Sequence, residues 1–204
     1  MQIDPNSRAV HGLSTFLAFV GLNVMYLLAC LPVVTIGAAT SALYEVTIRY
    51  SDDESGRPVA DYFPAFLRDF RRGSLIALTL LLPALLLAFG SFFWFASPSP
   101  LGSAAGVISI VASIFLFAAF LHGEALVAVF QDNVRRTVKN AVLLTAAEPL
   151  RTLGVLLIPT TLICVSVLFP AFLLIVGTVG PSVGAFVSAY LFRSVHRRHT
   201  SSTT

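Results

Sequence analysis

From residue 153 to residue 192 the chain runs 40 residues without a charged side chain, about twice the length one helix needs to cross a hydrocarbon core of roughly 30 Å. A fold built on such a run stays in water only if charged residues elsewhere cover it. Here they are scarce, at 11% of the sequence against 56% hydrophobic, where a soluble domain carries about a quarter. The bilayer is therefore the expected solvent. Three more blocks are long enough to span: residues 13–47, interrupted by Pro32 and Glu45; residues 73–96, with no charge; and residues 104–130, uncharged as far as His122 and Glu124. The second block ends in Phe92, Phe93, Trp94 and Phe95, an aromatic run suited to the headgroup layer. The SPSPLGS stretch after it is a turn by composition, so the second and third blocks are expected to form a helical hairpin.

Basic residues flanking spans are retained on the cytoplasmic side. Twelve of the 13 lie in three segments: 49–72, 131–152 and the tail from 193. The connections SPSPLGS and GTVGPS have none and are expected outside. With polar cytoplasmic segments on both sides, the fourth block must cross an even number of times, and two helices fit it. The turn falls either near Phe169 and Pro170 or at residues 177–182, and the former is expected because it leaves about 20 residues on each side. The first 12 residues hold only Asp4, Arg8 and His11 and scarcely constrain the amino end. A single crossing by the first block puts the N-terminus outside; a break at Leu31 and Pro32 into two short crossings would put it inside and give six spans. Five is the expected number, because residues 35–49 are short for a span and carry Glu45. The expected fold is an all-α integral membrane protein in one transmembrane domain. Its spans are about 13–34, 73–96, 104–128, 150–168 and 171–192, with cytoplasmic segments 49–72 and 131–149 and a cytoplasmic tail 193–204.

In the first cytoplasmic segment Val59, Tyr62, Phe63, Phe66, Leu67 and Phe70 recur at helical spacing. Asp61 can cap this helix, Pro64 is tolerable in its first turn, and Arg68, Arg71 and Arg72 gather at its C-terminal end, where the dipole favours cations. The segment reads as an amphipathic interfacial helix, with Phe63, Phe66 and Phe70 in the headgroup boundary and the arginines on anionic lipid. It also reads as a docking helix for a cytoplasmic partner. The second segment repeats the pattern, with Val134, Val138, Ala141 and Val142 on one face and Arg135, Arg136 and Lys139 on the other. Lipid alone and a docked subunit would both select two such helices.

Ionisable residues inside spans are functional candidates because hydrocarbon penalises them. Glu45 and Arg49 stand at i, i+4, the spacing of a helical ion pair, which favours a structural pair over a transport site. His122 and Glu124 come late in the third block, where an interfacial position would relieve them. A proton relay usually needs a partner deeper in the membrane. Asn23 reads as a helix-to-helix hydrogen-bonding group. Cys30 and Cys164 sit in separate apolar blocks and define neither a disulfide framework nor a metal spacing. No zinc, redox, nucleophile-elbow or phosphate-loop pattern falls on a plausible element, so no enzyme activity and no cofactor are expected. No basic block has the aromatic interleaving of a nucleic-acid site.

Residues 23–72 hold the most distinctive pattern: NVMYLLACLPVVTIGAATSALYEVTIRY, a short acidic loop, then VADYFPAFLRDFRRGS. This pattern resembles the YesL-type bacterial membrane proteins, a group of unknown function. The resemblance rests on Pro32, Thr35, Gly37, Ala39, Thr40, Ala42, Leu43, Tyr44 and Arg49, then on Phe63, Phe66 and Arg72. It implies a multi-pass protein of the bacterial inner membrane, often encoded beside sugar-import systems, with its C-terminus cytoplasmic. Physically, Pro32 ends or kinks a helix, and the small residues after it offer a surface for close backbone approach. That describes a packing joint; a ligand site at a broken helix is the alternative. The expected function is accessory or regulatory, linked to carbohydrate uptake through a sugar-import permease or sensor, with membrane lipids as surroundings. A small transporter or channel, working as a homo-oligomer, is the second reading.

Overall fold

A computed structural model describes residues 8–52, 57–169, 180–185 and 187. Every element among them is helical: α1 (Arg8–Cys30), a 3-10 turn (Val33–Thr35), α2 (Ile36–Asp52), α3 (Pro58–Ile76), a π-turn (Ala77–Leu81), α4 (Leu82–Phe95), α5 (Pro100–Val129), α6 (Val134–Ala147) and α7 (Pro149–Leu168). Among the described residues three continuous helices are long and apolar enough to cross a membrane: Pro58–Phe95, Pro100–Val129 and Pro149–Leu168. Most of residues 171–192, the fifth expected span, and all of the tail 193–204 lie outside the described residues.

The first apolar block does not run as one helix to residue 34. Pro32 has no N–H to donate and disfavours helical geometry at Leu31, so α1 stops at Cys30 and Pro32 sits extended at φ −77° and ψ 113°. The Thr35 hydroxyl donates to the carbonyls of Ala29 and Pro32, satisfying acceptors that the broken helix leaves over. The chain then reverses. Thr15 Oγ1 lies 3.1 Å from the Tyr50 hydroxyl and Phe19 meets the Tyr50 ring edge-on at 5.6 Å, so α2 returns antiparallel to α1.

α2 is enclosed on every side. Residues 37–47 are all buried, and α1, α3 and α5 pack around them. Gly37, Ala38, Ala39, Ser41 and Ala42 make a helix thin enough for neighbouring backbones to approach closely. The hydroxyls of Thr40, Ser41 and Thr47 donate to carbonyls of α2 itself, which removes the penalty of burying them.

The amphipathic segment and the second apolar block are a single helix of 38 residues. At 1.5 Å per residue it is about 57 Å long, nearly twice a hydrocarbon core. The π-turn ends just before Pro83, whose missing N–H and ring would otherwise disrupt the hydrogen bonding of the preceding turn. Pro58, Tyr62, Ala65, Asp69, Gly73 and Ile76 turn inward on α3, while Val59, Phe63, Leu67 and Phe70 face outward. Large apolar side chains outside and small or polar ones inside is the arrangement lipid selects.

α4 and α5 form the hairpin around residues 96–99. Ser99 caps α5 by accepting from the Gly102 N–H at 3.0 Å, and Pro100 takes a first-turn position where its missing donor is harmless. Between the two helices the Ser113 hydroxyl donates to the Ala84 carbonyl at 2.7 Å. Ser113→Ala is expected to lower stability by about 0.6 kcal/mol, and by no more than about 1.7 kcal/mol, the range for interhelical hydrogen bonds in membranes. Thermal unfolding in detergent measures it.

The core lies toward one end of this hairpin. Residues 118–125 of α5 are all buried, whereas Leu101, Val107, Ile108, Val111 and Ile114 in its first half are exposed, as are Leu85, Leu86, Phe89, Phe92 and Phe93 of α4. A contiguous apolar surface of that kind needs an apolar medium. α6 folds back on the buried half of α5 with Thr137, Ala141 and Thr145 inward and Arg135, Arg136 and Lys139 outward. On α1, buried Asn23 accepts from the Ser182 N–H at 3.3 Å, which docks the 180–185 helical turn there.

Candidate functional site

The described charged side chains that are buried gather where α2, α3 and α5 meet. The helical spacing of Glu45 and Arg49 joins them at 2.5 Å, and Arg68 of α3 reaches the second Glu45 oxygen. Arg68 Nη2 also binds Asp69 at 2.9 Å, so one guanidinium nitrogen serves two carboxylates on two helices. Arg72 donates to Asp69 at 3.2 Å, to Gln131 Oε1 at 2.9 Å and to the Phe130 carbonyl. The result is a continuous ladder, Arg49, Glu45, Arg68, Asp69, Arg72, that ties α2 to α3 and α3 to the end of α5. Its acids are buried, Glu45 at 7% exposure and Asp69 at 0%. Its arginines reach toward the surface, which spares them full desolvation.

Glu124 of α5 lies beside this ladder without joining it. It is fully buried, Asp69 is the charged group whose field acts on it, and neither of its oxygens has a hydrogen-bond partner among the described residues. His122, at 2% exposure, places Nε2 at 3.2 Å from the Thr152 hydroxyl of α7. Thr152 in turn sits within reach of the carbonyls of Thr145 and Glu148, a link between α5 and the α6–α7 joint. Late position in the third block therefore does not lift His122 and Glu124 out of the interior, because α2, α3 and α6 pack over this end of α5.

The remaining residues singled out in the sequence fall into two groups. Thr35, Gly37, Ala39, Thr40, Ala42, Leu43 and Tyr44 are buried along the α2 joint, with Pro32 exposed at the break before it and Arg49 exposed at its far end. Gly37 and Gly73 bring the α2 and α3 backbones into direct contact: a Cβ built on Gly37 would lie 2.1 Å from the Gly73 carbonyl oxygen. Tyr62 donates to the Ala39 carbonyl at 3.3 Å across the same joint. The second group, Phe63, Phe66 and Phe70, forms a ring ladder on α3, with Phe63 stacked on Phe66 at 6.3 Å and Phe70 edge-on to Phe66 at 5.6 Å. Arg71 is exposed beside it.

Asp69 is the residue the sequence reading passed over. Its signal was the stripe Pro58, Tyr62, Ala65, Asp69, Gly73, Ile76, spaced by three and four residues. Among the described residues no group of three or more His, Cys, Asp or Glu side chains could hold a metal ion. A notch lined by Leu126, Phe130, Asp132, Thr137 and Asn140 has a volume of about 160 Å³, well under the ~300 Å³ at which small-molecule pockets begin.

The described residues form an all-helical fold with three helices fit to cross a membrane and a buried charged joint at one end. Residues 19–91 match the family described as Protein of unknown function, DUF624. The matched stretch is similar to that family from the middle of α1 through most of α4, and it contains the enclosed α2 and the ladder acids Glu45 and Asp69. Neither a curated protein nor a solved structure matches the chain.

Proposed function

We propose that this is a multi-pass, YesL-type accessory or regulatory protein of the bacterial cell membrane, acting on a sugar-import permease or sensor through its cytoplasmic face. One observation supports this most. The contacts of Arg72 with Phe130 and Gln131 bring the basic end of α3 to the start of the α5–α6 connection, so Arg68, Arg71 and Arg72 and the outward Arg135, Arg136 and Lys139 gather at the same end. Opposite charge on a partner gives such a surface its on-rate and register. In this reading residues 171–192 are added to the three long helices and the tail is cytoplasmic, while α1 and α2 return as an antiparallel pair that puts the start of α1 at the same end as the arginines of residues 49–72. The link to carbohydrate uptake rests on the family resemblance. A small oligomeric transporter or channel is the second reading, favoured by the complete burial of His122 and Glu124.

Co-purification from native membranes in mild detergent tests the docking role. A permease or sensor component is expected with the wild-type protein, and replacing Arg135, Arg136 and Lys139 by Gln is expected to reduce its recovery by about tenfold, equivalent to ~1.4 kcal/mol. Recovery without such a component in repeated preparations would refute docking. Solute uptake by liposomes holding the purified protein alone would favour the transporter.

A further inference from the structure

Glu124 stands apart from the other acids of the junction. Glu45 accepts from Arg49 and Arg68, and Asp69 from Arg68 and Arg72. Glu124 is at 0% exposure, and among the described residues both its oxygens are without a donor. As an anion it would carry a desolvation penalty that no contact offsets.

Among the described residues, the charged groups around it do not supply the missing partner. On α3, Asp69 has the same sign, and the donors of Arg68 and Arg72 are directed at Asp69, Glu45, Gln131 and the Phe130 carbonyl. On α2, Glu45 again has the same sign, and Arg49 is turned to Glu45 and Asp61. α6 presents Thr137, Ala141 and Thr145 inward and keeps Arg135, Arg136 and Lys139 exposed. On the α7 side Arg151 pairs with Glu148, and Thr152 meets His122. α4 and the π-turn carry no charge.

Among the described residues no group of side chains could hold a metal cation. A proton needs no such group. Glu124 is five residues before Val129, the last residue of α5, and so about 8 Å along the axis from the polar end. We propose that Glu124 is an exchangeable-proton site. Hydronium entering from the arginine-bearing end transfers its proton to one carboxyl oxygen and leaves as water, converting carboxylate to neutral carboxyl; the reverse step returns the proton to water.

Infrared difference spectra of the purified protein across a pH series test this. The wild type is expected to show a neutral-carboxyl carbonyl band that exchanges for a carboxylate band as pH changes, and Glu124→Gln is expected to lack it at every pH. Should that variant fail to fold, glutamate labelled with ¹³C at the side-chain carboxyl assigns the band: the label shifts it in the wild type and leaves the corresponding band unmoved in Glu124→Asp. Identical titrating bands in wild type and Glu124→Gln, or a wild-type band insensitive to the label, would overturn the proposal. So would a band that responds to sodium at fixed pH, since the bound cation would then be a metal ion.

Discussion

Gly37→Ala is expected to separate α2 from α3 and to abolish the monodisperse protein in mild detergent. The added Cβ would lie 2.1 Å from the Gly73 carbonyl oxygen and 2.6 Å from its carbon, and at Gly73 the same change meets the Ala38 nitrogen at 2.7 Å. Those obstacles are backbone within packed helices, not side-chain tips that can swing away. Overpacking usually costs about 1–3 kcal/mol where side chains can adjust, so a larger loss is expected where they cannot. Gly90→Ala is the control: beyond its own stretch of helix backbone, nothing described lies within 4 Å of its added Cβ, and the helix should gain up to about 1 kcal/mol from the substitution. Thermal unfolding followed by size-exclusion elution should place the two alanine variants at opposite ends of the scale.

Arg68→Ala is expected to be the most damaging single change in the ion-pair ladder. It leaves two buried acids, Glu45 and Asp69, each short of a donor. Removing one partner of a fully buried pair costs about 3–5 kcal/mol; with Arg68 itself half-exposed, about 2–3 kcal/mol is expected after allowance for solvent screening. Glu45→Ala should be milder, because it strands only arginines that water can reach. Arg68→Lys should recover little, since an ammonium lacks the guanidinium's fixed fork of donors. Paired denaturation of single and double variants in one detergent measures the asymmetry. Equal losses for Arg68→Ala and Glu45→Ala would contradict the extra cost of leaving the buried acids Glu45 and Asp69 short of a donor.

Helical class and three long apolar helices could be read from the sequence because length and absence of charge are enough to define them. The break at Pro32 was also visible there, yet weighing residues 35–49 as a span hid what α2 is. Its eleven consecutive buried positions, 37–47, come from three surrounding helices, and no local period encodes that. The continuity of α3 with α4 was hidden for a different reason. Charge content marks where lipid ends, whereas helix ends are set by prolines, caps and turns, and Gly73 sits in the helix as a contact point with Gly37. Asp69 was passed over because a charge within an amphipathic pattern gives no sign of burial. In a protein with lipid outside, the bulky residues Phe63, Leu67 and Phe70 face outward, and the face that carries Ala65, Asp69 and Gly73 is the interior. The burial of Glu124 was equally invisible, since it depends on α3 and α6 closing over the end of α5.

For the basic end to meet a cytoplasmic partner, α4 and α5 must cross a bilayer, with the arginine-bearing junction on one side and the residue 96–99 turn on the other. Cysteine labelling in intact cells tests this directly, in a background where Cys30 and Cys164 are replaced by Ala. Pro98 in the turn and Asn140 on α6 are both exposed. A membrane-impermeant thiol reagent is expected to modify Pro98→Cys in intact cells and Asn140→Cys only after permeabilisation. Equal modification of both positions in intact cells, or of Asn140→Cys alone, would contradict it.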